Sequence, residues 1–355
     1  MSHYEERLEK DVRKLRKRLD KLGKGAADAL RNAVKSVMTL DPQLASETIL
    51  GDLPINRRFR KLDHRCHVFI ARHLPSARHL RFVSGVLRII TMLERVGDYA
   101  ETISRASLQL SQPPTDAIAK DLETMSRHVL KNLELSLRAF QEEDADLARA
   151  TRTTAKQYLP TFDQIFNDLV KEGEKGIRPI AELFSLLAIF NRLERVLHHC
   201  KNICEQTLFA VAGEEKQAKK FDILFMDEQN AGASQLAEFY AQKAYPEGGT
   251  FRSASWSTEE VPLDPKFEAY AQEKGIDLSD ASCMSFKEVS DRIQDFDILI
   301  DLSGSARSHI NKIPFHTTLL TWKLDDPDDP EAVYKQLVPH LHELIACILG
   351  EEEDS

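Results

Sequence analysis

Apolar residues recur at three- and four-residue steps through the first 212 positions, then give way to short continuous apolar blocks. Leu8, Val12, Leu15, Leu19 and Leu22 fall at heptad-like spacing and predict one long helix over 4–38, weakened locally at Gly23 and Gly25 and ended by Asp41-Pro42. A second helix is expected from Pro42 to Leu74, kinked near Gly51 and Pro54, with Pro75 as its breaker. A third follows over 80–105. Beyond the Pro113-Pro114 hinge the pattern repeats as helices 115–140, 145–175 and a last one closing near Ala212. Six amphipathic helices with short connections pack most naturally as two antiparallel three-helix bundles, 1–112 and 113–212.

After a polar linker, 213–220, FDILFM (221–226) is a short apolar run of the kind that forms a strand buried on both faces. A helix over Ser234–Tyr245, a strand at TFRSAS, a helix over Pro265–Lys274, strands at FDILIDL and TTLLTWKL, and a helix over Pro330–Leu349 follow. Strands alternating with helices imply an α/β domain, 221–349, with a doubly wound parallel sheet. The acidic stretch 350–355 reads as a disordered tail.

Two of the helices carry the candidate chemistry. Val83, Val86, Leu87, Ile90 and Leu93 make one apolar stripe, and Glu94, Asp98 and Glu101 continue the spacing as three carboxylates on one face. Like charges a turn apart cost a helix about 0.2–0.5 kcal/mol, so a cation, either a metal or Arg and Lys side chains, is expected to offset them. One hundred residues later Leu193, Glu194, Arg195 and Val196 repeat Leu93, Glu94, Arg95 and Val96, and Ile203 repeats Ile103. Identity at a fixed offset inside matching apolar patterns marks a duplicated unit.

Composition narrows the picture. Hydrophobic residues are 42% of the 355 and charged residues 30%, enough for two or three cores, and no apolar run approaches the roughly 18 residues of a membrane span. The charged N-terminal stretch has no signal-peptide core. Five scattered cysteines point to a reducing, cytoplasmic setting, with Cys200 and Cys204 read as buried small hydrophobes rather than ligands. A net charge of −9 argues against general nucleic-acid binding, and Arg57, Arg58, Arg60, Lys61 and Arg65 read as a solvated helix face.

The segments GDLPINRRFRKLDHRC, LERVGDYAETISR and the later LERV…CKNIC, spread over about residues 8–212, resemble the PhoU family of phosphate-transport regulators. The resemblance implies paired three-helix bundles whose Glu-x-x-x-Asp helices hold metal ions. It also implies a homodimeric adaptor between a phosphate importer's ATPase and a sensor kinase, without chemistry of its own. Carried over, it makes Glu94 and Asp98 metal ligands, with Asp52, Asn56 and Asp63 on the facing helix, and Glu194 and His198 their counterparts in the second bundle. Carboxylate oxygens suit Fe, Mn or Mg, and a Glu–His pair would admit Zn. The second bundle departs: His198 stands for the family's Asp, Leu197 for its Gly, and Thr154 and Tyr158 for facing acids. There an intrahelical polar pair with His199 exposed is the competing reading.

A second resemblance covers nearly all of 221–349. ILFMDEQNAGASQLAEFYAQ, FRSAS, GIDLSDASCMSF, FDILIDLSGSA and TWKLDDP follow the order of the low-molecular-weight tyrosine phosphatases and related arsenate reductases. That family needs a loop Cys as nucleophile and an Arg six residues later to clamp the phosphoryl oxygens. Here the two positions hold Asp227 and Ala233. Asp227 brings a negative charge to backbone amides at a helix N-terminus and is expected to act as the loop's resident anion. Asp326 matches the family's general acid, and Cys283 lies in another segment. Any inorganic phosphate or arsenate would meet the loop amides from Asn230 through Gly232 and Ala233 to Ser234.

The sequence therefore favours a non-enzymatic regulator of phosphate uptake or signalling, built from PhoU-like bundles and a phosphatase-like domain used for docking or oxyanion sensing. Two alternatives remain at this point: a metal-dependent enzyme using the bundle carboxylates, and a purely structural interaction protein.

Overall fold

The structure, a computed structural model, describes residues 3–157, 161–214, 220–258, 261–282, 284–310, 313–314 and 317–350, the side chains of 156, 157 and 161–164 aside. The chain divides into two compact units, Met1–Lys216 and Gln217–Ser355.

The first unit is all-helical. α1 (His3–Thr39) buries the expected Leu8, Val12, Leu15, Leu19 and Leu22 and continues through Ala26, Leu30, Ala33 and Val37. It runs unbroken past Gly23, which is placed for packing: a Cβ there would lie 2.7 Å from Leu137 Cδ1. Leu40 adopts a left-handed backbone, and Asp41 then caps α2 (Pro42–His73) by accepting from the amides of Gln43 and Leu44. Pro42 takes the first helical turn, where its missing N–H costs nothing. α2 is one helix through Pro54, an exposed position. α3 (Ala77–Ser107), α4 (Asp116–Glu142) and α7 (Ile180–Ala212) lie near their expected places. The helix expected over 145–175 is described as α5 (Ala145–Gln157) and α6 (Thr161–Glu174).

The repeat helices α3 and α7 pack against each other, and α1 packs against α4. One hydrophobic cluster accordingly runs through both halves of the unit, with Leu22, Leu62, Ile90, Leu133, Ile165 and Phe190 among its members. Each such fully buried side chain contributes about 1.5–3 kcal/mol relative to exposure.

The second unit is a four-stranded, all-parallel sheet in the order β2-β1-β3-β4, built from β1 (Phe221–Asp227), β2 (Gly249–Ser255), β3 (Ile298–Asp301) and β4 (Thr318–Thr321). The central strand reads as a continuous apolar run because both its faces are covered. Ile223 and Phe225 enter a core with α8 (Ala233–Ala244), α9 (Pro265–Glu273) and α12 (Pro330–Leu349). Leu224 and Met226 enter another with Trp256, Val289 and Ile293. This second layer is built around α10 (Phe286–Ser290), a 3₁₀ turn at Ile293–Asp295 and α11 (Ala306–His309), three pieces too short to leave a periodic signal. Strand order reverses between β1 and β3, so a crevice opens beyond their C-terminal ends.

Candidate functional site

Glu94, Asp98 and Glu101 stand half-buried on α3, and the largely buried Asp52 reaches them from α2. Gly97 allows that approach: a Cβ on it would lie 3.1 Å from Asp52 Oδ1 and 3.2 Å from an Ile55 methyl. Asn56 Nδ2 donates to Asp52 Oδ2, while Asp52 Oδ1 and Asn56 Oδ1 are buried acceptors without a donor among the described residues. The electrostatics follow. Burial, then Asp98 and Glu101, push the Asp52 carboxyl up. Burial, then Asp98 and Asp52, raise Glu94, against the pull of Arg95 and Arg60. Burial and Glu101 raise Asp98. Asp63 sits further along α2, with Oδ2 3.6 Å from His67 Nδ1.

These are all oxygen donors, and the orphaned Asp52 Oδ1 is the acceptor a hard cation would satisfy. The chemistry of the set therefore fits Mg, Mn or Fe, although no three His, Cys, Asp or Glu side chains among the described residues are gathered closely enough to hold an ion as they stand.

The second repeat is built differently. Leu197, 1% exposed, packs into the core where its counterpart Gly97 makes room for Asp52. Thr154 is exposed and donates to the Ala150 carbonyl; Tyr158 lies outside the described residues. Glu194 and His198 stand 3.9 Å apart on α7. His199 corrects the expectation of an exposed ring. It is half-buried, stacks on Tyr99 at 5.7 Å between centroids, and has no hydrogen-bond partner for either ring nitrogen among the described residues. Burial, then Arg95, His198 and Arg195, depress its pKa to about 4. Tyr99 and His199 occupy equivalent places in the two repeats, so the duplicated helices meet at their own matching positions. Cys200 and Cys204 are buried core residues whose thiols burial pushes up, Cys204 to about 12.

In the α/β unit, Asp227 ends β1 with its carboxylate turned onto the loop that follows. Oδ1 accepts from the Gln229 amide at 3.1 Å and from the Asn230 amide, and Oδ2 accepts from the Ser234 amide at 2.9 Å. Burial raises its pKa, against the hydrogen bonds of Ser234, Asn230 and Gln229. The loop is braced from behind. Asn230, buried with φ 53°, donates to Ser234 Oγ and accepts from Gln235 Nε2 and the Met284 amide. Gly232 is required by the Phe267 ring, which would lie 2.7 Å from a Cβ there. Ala233 opens α8 with no cationic head.

A cleft of about 510 Å³ faces this loop, lined by Asp227, Glu228, Asp264, Asp325 and Asp328 with Lys323 as its cation. Asp326 is exposed; its neighbours Asp325, Pro327 and Asp328 form that part of the lining. The surroundings share the sign: residues 217–355 carry 12 Lys and Arg against 27 Asp and Glu, whereas residues 1–216 carry 36 against 30. An anion entering the cleft meets a repulsive field. Cys283 lies outside the described residues.

Two arrangements escaped the sequence reading. Asp301, at the end of β3, repeats the Asp227 device: its carboxylate accepts from the amides of Ser303, Gly304 and Ala306. The shared FDIL…D pattern of the two strands was the available signal. Arg178, 4% exposed, ties the segment before α4 to α7. It donates to the carbonyls of Gln112 (2.9 Å) and Pro113 and to Glu182 (2.9 Å), with Glu172 3.6 Å away. Ser111 Oγ completes the set on Glu182, whose pKa these contacts lower, Ser111 foremost.

Comparison with known proteins adds four findings. The PhoU domain model matches residues 19–107 and 122–207. A PhoU homolog of Thermotoga maritima, a phosphate-specific transport system accessory protein, is 30% identical over 227 residues, covering 60% of this chain and 92% of the relative. The crystal structure of PhoU from Pseudomonas aeruginosa matches at a TM-score of 0.53 and 26% identity, over 58% of this chain and 99% of that one. An arsenate reductase in its phosphate-binding state aligns with 37% of this chain and 99% of its own length, at 26% identity and a TM-score of 0.31.

Proposed function

We propose, from the premise that the chain belongs to the PhoU family, that it regulates phosphate transport by binding rather than by turnover. The relatives' role as accessory proteins of a phosphate-specific transport system supports the regulatory part. Partners in that system follow: the importer's ATPase, a sensor kinase, or both. The observation that carries the binding-only part is Asp227. Its carboxylate accepts from three loop amides, and by the sequence resemblance it stands at the position of the phosphatases' thiolate nucleophile, while Ala233 supplies no clamp for phosphoryl oxygens. The α/β unit is then a docking module that has kept its frame and lost its chemistry. Its acidic cleft disfavours the oxyanion-sensing variant of this reading.

The buried, undonated Asp52 Oδ1 supports a second element. Asp52, Asn56, Glu94 and Asp98 would hold a hard di- or trivalent ion, whose charge would relieve the repulsion among them. Glu94 and Asp98 would draw α3 toward α2 at the point where Gly97 leaves room.

The test is uptake of labelled phosphate in cells deleted for the chain. Uptake that no longer responds to external phosphate, and is restored both by the chain and by a variant altered at Ala233, supports the reading. Uptake indifferent to the deletion refutes it.

A further inference from the structure

The outer face of α2 changes character along its length. Its exposed positions follow one stripe of the helix: Leu50, Leu53 and Pro54, then Arg57, Arg60, Lys61, His64 and Arg65. The steps of three and four residues keep them in line over roughly 22 Å at 1.5 Å per residue. Leu50 and Leu53 are 66% and 56% exposed, side chains that ordinarily go inside. From Arg57 to Arg72 no exposed residue of α2 is acidic; Asp63, half-buried, lies beside His67. Arg57, Arg60, Lys61 and Arg65 form no hydrogen bond or ion pair with described residues, although Arg60 acts at longer range on Glu94. Elsewhere on this unit exposed cations are commonly paired along their own helices, as in Lys24–Asp20, Arg31–Asp28 and Arg105–Glu101.

The shape of the stripe decides what it fits. None of its cations lines any of the four cavities described between residues of the chain. A small anion such as phosphate is bound in a concavity where several donors converge, and a convex helix ridge offers none. A row of cations continued by large apolar side chains on the same ridge matches an interface that is itself layered, with negative charge outside and hydrocarbon just beneath. We propose that this stripe of α2 is a docking surface for an anionic lipid bilayer: Arg57, Arg60, Lys61 and Arg65 lie along the headgroups, and Leu50 and Leu53 insert at the acyl boundary. The attachment is peripheral, since no helix among the described residues is long and apolar enough to cross a membrane.

The experiment is co-sedimentation of the full chain with vesicles of phosphatidylcholine alone or mixed equally with phosphatidylglycerol, at low salt and at about 0.5 M, where charges are screened within a few ångströms. Binding to the mixed vesicles, at least tenfold stronger than to the neutral ones and lost at high salt, is expected. Combining Arg57→Glu, Lys61→Glu and Arg65→Glu removes about three favourable contacts of roughly 1 kcal/mol each and weakens binding about a hundredfold. Leu50→Ser with Leu53→Ser weakens it several-fold and leaves the salt dependence intact. All five side chains lie on the exposed stripe, so unchanged thermal melting verifies that the variants are folded. Equal binding to both vesicle types, or undiminished binding by the charge-reversed variant, overturns the proposal. Tighter binding to polyglutamate than to the mixed vesicles also overturns it, in favour of an acidic polypeptide.

Discussion

Replacing Asp227 by alanine leaves three loop amides without their acceptor. The Gln229 amide belongs to an exposed residue and can turn to water, but Asn230 and Ser234 are fully buried. A buried donor left unpaired costs about 1–3 kcal/mol, so the two together cost roughly 2–6. Part of this is returned, because the carboxylate no longer has to be held away from water, a burden its raised pKa reveals. We expect a net loss of about 2–4 kcal/mol. Asp227→Asn keeps an oxygen toward Gln229 and Asn230 but turns an amide donor toward the Ser234 N–H, and falls between the two. Urea unfolding followed by tryptophan fluorescence isolates the effect, since both tryptophans, Trp256 and Trp322, belong to the α/β unit. With a slope of about 2 kcal/mol per molar, the midpoint of Asp227→Ala drops by about 1–2 M. An alanine variant whose midpoint coincides with the parent's would show that the carboxylate does not hold the loop.

Other consequences follow from the helical unit. The carboxyl of Asp98 is raised in the folded state by burial and then by Glu101, so protonation favours folding. The penalty is present above the raised pKa and vanishes as pH falls below the ordinary carboxyl value near 4. Asp98→Asn should therefore melt higher than the parent at pH 7 without added metal, by a few tenths of a kcal/mol per relieved neighbour, and the gap should close toward pH 4; a gap that widens on acidification contradicts the assignment. Added Mn²⁺ should raise the melting temperature of the parent and not of that variant. Arg178→Met strips two carbonyls and the buried Glu182 carboxylate of a donor, leaves the buried Glu172 without its ion-pair partner, and should cost about 3–5 kcal/mol in far-ultraviolet melts, whereas a change under 1 kcal/mol would mean that water already shares those contacts.

How much of this was legible depends on how local each feature is. The long helices and buried strands announce themselves by periodicity, because a helix must turn one stripe inward and a covered strand both faces. The acidic face of α3 and the loss of the loop thiol were equally plain, being matters of residue type at fixed spacing. Contacts between distant elements were not. Arg178 looks like an ordinary cation before a proline until the carbonyls of Gln112 and Pro113 arrive beside it. His199 reads as exposed until Tyr99 of the other repeat stacks on it. Gly23 looks like a weak point in α1 and turns out to be the place where Leu137 fits. The short helices α10 and α11 are less than two turns long and carry no periodic mark, although the capping box of Ser285 and Glu288 at the start of α10 was a local signal.

The central claim is that the chain works without turning anything over, and catalysis by the pure full-length protein tests it most directly. Incubated with para-nitrophenyl phosphate, and with arsenate and a dithiol reductant, the protein is predicted to release product no faster than buffer. Turnover that persists through purification and disappears in Asp227→Ala would contradict the account.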